Sequence, residues 1–392
     1  MKRIWLLLCL MFILTGCQET ENAIQDGQTT IVFLNSWGSG DDRHQVMRQI
    51  YQDFEKENPD IKLSMIAMPS SEKVADKVRE MVSVGKVPNL IYSGGGGMDT
   101  LYPFMAEHEY LLDLMPYIKE DKQFADCISP ENYAAFQTQD GKLYTVTDIL
   151  HVCGYWYNVN MFENAGITQT PETWEEFLLA CEKISSWTES IQYDIVPLHL
   201  DTETAALLTE AYVSGREQEP AAGTDTFQEA IDLLELIGRY AAPEPEPFTY
   251  QDNIRSLNIG RCAIYAGDIA GEQLLNREIR IAYSAFPLQS GEKMNLASAT
   301  PGFLVGNTGN EEQQEACIRF LKYMLSEPVQ ERILREAGYL PSNPGIDKEE
   351  LQETNPRLYD AWKMVEDYEI LGKMTENDGE REELKKLLEK SE

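Results

Sequence analysis

Residues 30–38 read Thr-Ile-Val-Phe-Leu-Asn-Ser-Trp-Gly, an apolar, β-rich run that stops at a small polar pair, a tryptophan and a glycine. Val46, Ile50 and Phe54 follow at intervals of four, the spacing of one helical face, and Pro59 closes that helix. Ile61, Leu63 and Met65 then alternate as a second strand, and Val74, Val78 and Val82 mark a second helical face. Pro88 opens Asn89-Leu90-Ile91-Tyr92, a third strand cut short by Gly94 to Gly97. Strand, helix, strand, helix, strand predicts a parallel α/β sheet. Ligands of such sheets gather beyond the carboxyl ends of the strands, which directs attention to Asn35–Gly38 and Ser93–Gly97.

Working outward, a second α/β pattern occupies the middle of the chain. Tyr155-Trp156-Tyr157 predicts a strand and Asn158–Phe162 a short helix. Thr173 and Glu176 form a capping box, opening a helix that buries Trp174, Phe177, Leu178, Cys181 and Ile184. Ala241–Pro247 (AAPEPEP) reads as a rigid turn or linker, and Glu311–Leu325 as a helix with Ala316, Phe320, Leu321 and Met324 inward. Pro328–Ala337 adds another helix, and the charged tail after Glu376 a solvated terminal one. No repeat of fixed period is present.

The amino terminus reads as an address. Lys2 and Arg3 precede an apolar run from Ile4 to Leu14, too short to cross a bilayer and the right size for a signal peptide. It ends in Leu14-Thr15-Gly16-Cys17, which resembles a bacterial lipobox, so residues 1–16 are expected to be removed and Cys17 to carry the lipid. Multiple acyl chains on one cysteine hold a protein stably on a membrane without crossing it. Residues 17–29 are polar and acidic, as a tether would be.

The chain has 392 residues, with 66 Asp+Glu against 33 Lys+Arg and a net charge of −33. Losing residues 1–16 removes two positive charges and no negative one, so the exported body is more acidic still. Such a surface repels a phosphate backbone, which excludes nucleic acid as a partner. Hydrophobic content of 43% and aromatic content of 10% exclude a disordered chain. Four histidines and seven cysteines without a CxxC pair leave little material for a metal site, and none is expected. Cys127, Cys153, Cys181, Cys262 and Cys317 read as buried thiols, with one disulfide left open.

Three groups of segments resemble the extracellular solute-binding proteins of bacterial ABC importers, in particular the carbohydrate-binding, maltodextrin-receptor-like group. The first is Thr30–Phe33, Ser36-Trp37-Gly38 and Phe54–Lys62 (FEKENPDIK). The second is Asp140–Tyr144 (DGKLY), Gly154–Asn158 (GYWYN), Met161–Gly166 (MFENAG) and Pro171–Glu176. The third comprises Gly260–Ala263, Ala285–Pro287, Phe320–Met324 and Gly338–Pro341. The chain departs from the pattern at Thr300–Phe303, where the family often has paired glycines, and near Ile269, where a tryptophan is common.

The resemblance implies a type II periplasmic-binding-protein-like fold: two α/β lobes, a hinge and an interlobe ligand cleft. By position, lobe one takes residues 28–148 and 282–325, and lobe two takes 149–281 and 326–392. Hinges are expected at Thr145–Leu150, Arg280–Ser284 and near Ser326. The implied activity is capture of a carbohydrate, an oligosaccharide foremost, by lobe closure. The implied partners are an ABC permease with cytoplasmic ATPases; no cofactor and no catalysis are expected, and the receptor is expected to be a monomer on the outer side of the cell membrane. A polyamine receptor on the same fold and a glycan-acting surface enzyme are the alternatives; the enzyme needs a carboxylate pair about 5–10 Å apart. A sensory partner of a membrane kinase is a third.

Sugars offer flat C–H faces beside dense hydroxyls, so their sites need aromatic platforms and paired polar groups. Trp37 is the stacking candidate, with Asn35 and Ser36 in the same loop; Tyr92 is expected in the core. Gly94 and Gly96 form either a flexible turn or a close backbone approach to ligand, with Ser93 and Asp99 supplying polar contacts. Asp148 and His151 fall at the first crossing, where the family places cleft-facing groups, and Tyr155 is the strand residue nearest that hinge. Tyr265 and Asp268 match the segment that supplies a lobe-two wall, and Gly302 and Phe303 face the cleft from lobe one.

Overall fold

The computed structural model describes residues 27–38, 40, 42–92, 98, 101–217, 226–243, 250–297, 301–368, 370–373 and 386. Among these, the strands in chain order are β1 (Thr29–Asn35), β2 (Ile61–Ala67), β3 (Leu90–Tyr92), β4 (Thr145–Val146), β5 (Val152–Asn158), β6 (His199–Leu200) and β7 (Ala242–Pro243). They continue as β8 (Ile264–Asp268), β9 (Ile281–Ser284), β10 (Phe286–Pro287), β11 (Lys293–Ala297), β12 (Phe303–Val305) and β13 (Ile370–Lys373).

The first sheet has the order β2-β1-β3-β12-β4. β1 runs parallel to both β2 and β3, and β12 lies antiparallel between β3 and β4. Helix Asp42–Glu57 buries Met47, Ile50, Tyr51 and Phe54, one face at i, i+3, i+4 and i+7, against the sheet side that carries Ile31, Phe33, Phe303 and Val305. Helix Ser71–Ser83 covers the opposite side through Val74, Ala75 and Val78, meeting Leu34, Ile91 and Leu304. Successive residues such as Phe33 and Leu34 therefore enter different cores, as the two-residue period of a strand requires.

The second sheet has the order β10-β11-β5-β8, with β9 also on β5 and β13 on β11. β8 takes one edge of β5 while β9 and β11 share the other. Tyr155 points to the side covered by helix Trp174–Ile191, where Trp174, Phe177, Cys181 and Ile184 are buried; Trp156 points to the side covered by helix Pro356–Asp367, with Leu358, Ala361 and Trp362. The Thr173 hydroxyl accepts from the Glu176 amide at 3.1 Å, as a capping box requires, but the Glu176 carboxylate accepts from the Glu172 amide at 2.9 Å, one residue earlier than expected.

The molecule is an α/β protein of the type II periplasmic-binding-protein-like fold. Its crossings differ in two places from the expectation. The first lies between Val146 and Val152, within the predicted region. Arg280–Ser284 is no crossing: Ile281–Ser284 is β9, paired with Tyr155–Asn158, and the chain stays with the second sheet through Ala297 before returning at Phe303. Nor does the chain leave the first core at Ser326, because Val329, Ile333, Ala337 and Tyr339 are buried in that core while Leu340 belongs to the second. The apolar face of 327–337 still has a partner in the first core, and that burial delays the crossing.

Of the linker predicted at Ala241–Pro247, residues 242–243 form β7 beside β6, and 244–247 lie outside the described residues, as do residues 1–26 and most of the tail after Glu376. The five body cysteines are free thiols, and all but Cys127 are buried. Among the described residues, no helix is long and apolar enough to cross a membrane.

Candidate functional site

Register places the candidate site. Asn35 pairs with Tyr92, Tyr92 with Phe303 and Phe303 with Val146, so these residues form one row across the first sheet, at the carboxyl ends of β1 and β3. Asp148 lies two residues beyond that row, where the chain leaves for the second sheet.

After β1 the backbone turns at Gly38, where a Cβ would lie 2.5 Å from the Met68 carbonyl oxygen, so only glycine fits the approach. The Asn35 side-chain oxygen accepts from the Trp37 amide at 3.1 Å, which fixes the turn, while Asn35 Nδ2 is buried with no hydrogen-bond partner among the described residues. Trp37 is 6% exposed. Its ring stacks on Tyr92 at 5.1 Å and 23°, meets the edge of His44 at 4.7 Å and borders Tyr339 at 6.0 Å. Trp37 Nε1 donates to the Tyr51 hydroxyl at 2.7 Å, Arg48 donates to the Trp37 carbonyl, and the Arg43 guanidinium lies over the Tyr339 ring at 5.2 Å.

Asp148 is fully buried, and neither carboxylate oxygen has a hydrogen-bond partner among the described residues. Its backbone is held: the Asp148 carbonyl accepts from Gln330 Nε2 at 3.0 Å and from the Ser342 amide at 3.2 Å, which ties the first crossing to the third. Burial pushes the Asp148 carboxyl up to about 7; its own amide, the His151 charge and the nearby Tyr92 hydroxyl only partly oppose that push. Tyr51 and Tyr92 are raised well above the usual phenol value by burial first and then by the Asp148 charge, so both hydroxyls stay protonated and can donate.

The second sheet contributes His151 and Asp268. His151 Nδ1 lies 2.8 Å from Asp268 Oδ2, and Asp268 Oδ1 accepts from the Ala270 amide at 2.6 Å, capping the turn Ile269–Leu274. Burial is the largest influence on His151 and lowers its pKa, but the charge and hydrogen bond of Asp268, with the Asp148 charge, outweigh it and the net shift is upward. An unpartnered donor on Asn35, unpartnered acceptors on Asp148 and an imidazole–carboxylate pair surround one aromatic cluster. Such an arrangement suits a ligand whose groups both donate and accept hydrogen bonds.

The structure thus brings Asn35, Trp37, Asp148, His151 and Asp268 to the junction of the two sheets, with Ser36, 8% exposed, in the Asn35 turn. Tyr155 and Phe303 are core residues with no exposed surface, packed on Phe177 and Phe286 and on Phe33, Tyr92 and Phe320 respectively. Tyr265 is 6% exposed and sits in the core beneath Gly267, where a Cβ would meet its ring at 2.4 Å. At Gly302 a Cβ would lie 2.5 Å from the Val146 carbonyl oxygen, so the close approach of β12 to the first crossing accounts for that glycine. Ser93, Gly94, Gly96, Asp99 and Cys17 lie outside the described residues.

Arg43, His44 and Tyr339 join the cluster without having been singled out from the sequence. The signal for the first two is their place in the first helical turn after the Trp37 loop. Tyr339 lies in the segment Gly338–Pro341, just before the third crossing.

A family model described as bacterial extracellular solute-binding protein matches residues 49–359. A multiple sugar-binding protein of Streptococcus mutans is 27% identical over 179 residues, 45% of this chain and 39% of that protein. A melibiose/raffinose/stachyose-binding protein of Bacillus subtilis is 24% identical over 188 residues, 48% of this chain and 40% of that protein. The matched region thus spans about two fifths of the length of these curated relatives. Among solved structures, a Streptococcus pneumoniae solute-binding protein in complex with the blood group A-trisaccharide superposes with a TM-score of 0.75 at 20% identity, covering 93% of this chain and 95% of that one.

Proposed function

Because the chain belongs to the bacterial extracellular solute-binding proteins, we propose that it is the lipid-anchored receptor of an ABC importer and captures an oligosaccharide between its two lobes. The carbohydrate reading is supported by the names of the relatives, sugar-binding proteins of Streptococcus mutans and Bacillus subtilis. The observation in this chain that carries it is the buried Asp148 carboxylate, whose oxygens have no hydrogen-bond partner among the described residues, beside Tyr51, Tyr92 and His151. A sugar hydroxyl donates to such an acceptor and accepts from the donor left over on Asn35, without bringing a charge into a dry site.

Trp37 serves this reading as the wall of the site. One face is covered by Tyr92, so a sugar ring meets the side bordered by Tyr339 once the lobes part. Ligand held by groups from both lobes binds the closed form better than the open one, and that difference drives closure. Delivery to a two-subunit permease and anchoring through Cys17 complete the proposal; it includes no catalytic step and no cofactor.

A thermal-shift screen of the purified protein against mono- and oligosaccharides, polyamines and peptides tests this function, because ligand that binds only the folded state raises the melting temperature by mass action. An oligosaccharide at a hundred times its Kd stabilises by about 2.7 kcal/mol. A shift with a polyamine and none with any sugar overturns the reading.

A further inference from the structure

A cavity of about 670 Å³ opens between β9 and helix Pro356–Asp367, lined along the length of that helix. It is lined at one end by Arg277, Arg357 and Glu272. Glu272 is 2% exposed and already satisfied, accepting from Asn355 Nδ2 at 2.8 Å and Gln273 Nε2 at 3.2 Å. Arg357 Nε lies 3.8 Å from Glu272 Oε1, beyond hydrogen-bond length, and Arg357 Nη2 donates to the Asn276 carbonyl at 3.2 Å. Arg357 Nη1 is buried with no hydrogen-bond partner among the described residues, a charged donor of the kind folded proteins rarely leave unmatched.

Arg277 and Arg357 thus flank Glu272 in this wall, in a chain of net charge −33. Asp360 lies one helical turn from Arg357, with Lys363 and Asp367 farther along the same helix, so around the whole wall three cations stand against three carboxylates. Burial lowers the Arg357 pKa; Glu272 opposes that and Arg277 adds to it, a balance that a bound anion would relieve. Tyr283 and, two turns beyond Arg357 on the helix, Met364 give the cavity apolar lining.

We propose that this cavity is a second ligand site, separate from the interlobe cleft, that takes a small organic anion. Its carboxylate or phosphate head sits between Arg277 and Arg357, where planar guanidiniums can pair with two oxygens, and its body lies on Tyr283 and Met364. The site goes beyond the sugar-receptor reading and does not depend on it.

Isothermal titration of the purified protein with citrate and with inorganic phosphate, at constant ionic strength and with glycerol as an uncharged control, tests the site in the absence of any sugar. The expected result is saturable binding of at least one anion, weakened tenfold or more by Arg277→Ala. Arg277 is exposed, so that variant is expected to melt with the wild type, whereas Arg357→Ala leaves Glu272 buried beside a void. Arg357→Lys, which keeps the charge but loses the planar fork, should weaken binding while preserving the fold. Absence of saturable binding, binding unchanged in Arg277→Ala, or loss of binding in Arg43→Ala, which would move the anion to the cleft, overturns the proposal.

Discussion

Asp148 carries more of the account than any other residue. A carboxyl whose pKa is about 7 in the folded chain and about 3.9 unfolded keeps a proton in the native state that the unfolded chain gives up. The stability this one group contributes is then fully present below about pH 4, is lost as pH rises towards 7 and is gone above it, a change on the order of 4 kcal/mol. His151 acts in the same direction: its raised pKa gives stability that is present below about pH 6.5 and is lost as pH rises through the folded value. Asp148→Asn removes the carboxyl's share, so its melting temperature should exceed the wild type's at pH 8 and fall less steeply between pH 4 and 7. Melting curves across that range check this; an unchanged slope means that Asp148 ionises as an exposed carboxyl does. Asp148 was legible in the sequence through its place at the first crossing, but its lack of partners was not, because that depends on Tyr51, Tyr92 and His151 coming together across three elements.

At the scale of elements, the parallel β1-helix-β2-helix-β3 unit could be read in advance because its apolar spacing is local and its helices each cover one face. The antiparallel strands β9 to β12 could not. They are two to five residues long, and the pairing of β9 and β11 with β5 and of β12 with β3 is set by residues well over a hundred positions away, while β10 hangs on β11. Aromatic positions misled for a related reason. Tyr155 and Phe303 sit near the crossings, where a ligand contact is expected, yet the strand period turns both side chains into the cores. Gly302 illustrates the same limit: its lack of a side chain admits the Val146 carbonyl and the Thr147 backbone instead of a ligand. Gly302→Ala should displace β12 from the first crossing and cost about 1–3 kcal/mol, read as a lower denaturant midpoint with the slope unchanged. Wild-type stability in that variant would show that the crossing yields without strain.

At the scale of the whole molecule, the two sheets communicate through the crossings, and their positions define what can move. The first and third crossings are tied by the Ile149–Pro341 bridge and by the bonds from Gln330 and Ser342 to the Asp148 carbonyl. The proposed lobe closure would move about this seam and change the surroundings of Asp148 directly, which would place it both in the cleft and at the hinge. Family and fold were legible from the ordered segments along the chain; the later return of the chain, after Ala297 and after Tyr339, rests on burial that no local pattern reveals. Calorimetric titration of the wild type and of Asp148→Asn with a raffinose-type oligosaccharide tests whether Asp148 holds the sugar. Saturable binding by the wild type is expected, with at least tenfold weaker binding by the variant, a loss of about 1.4 kcal/mol or more, and the variant still folded. Equal affinity in the two proteins, or no binding of any oligosaccharide by the wild type, would contradict that expectation.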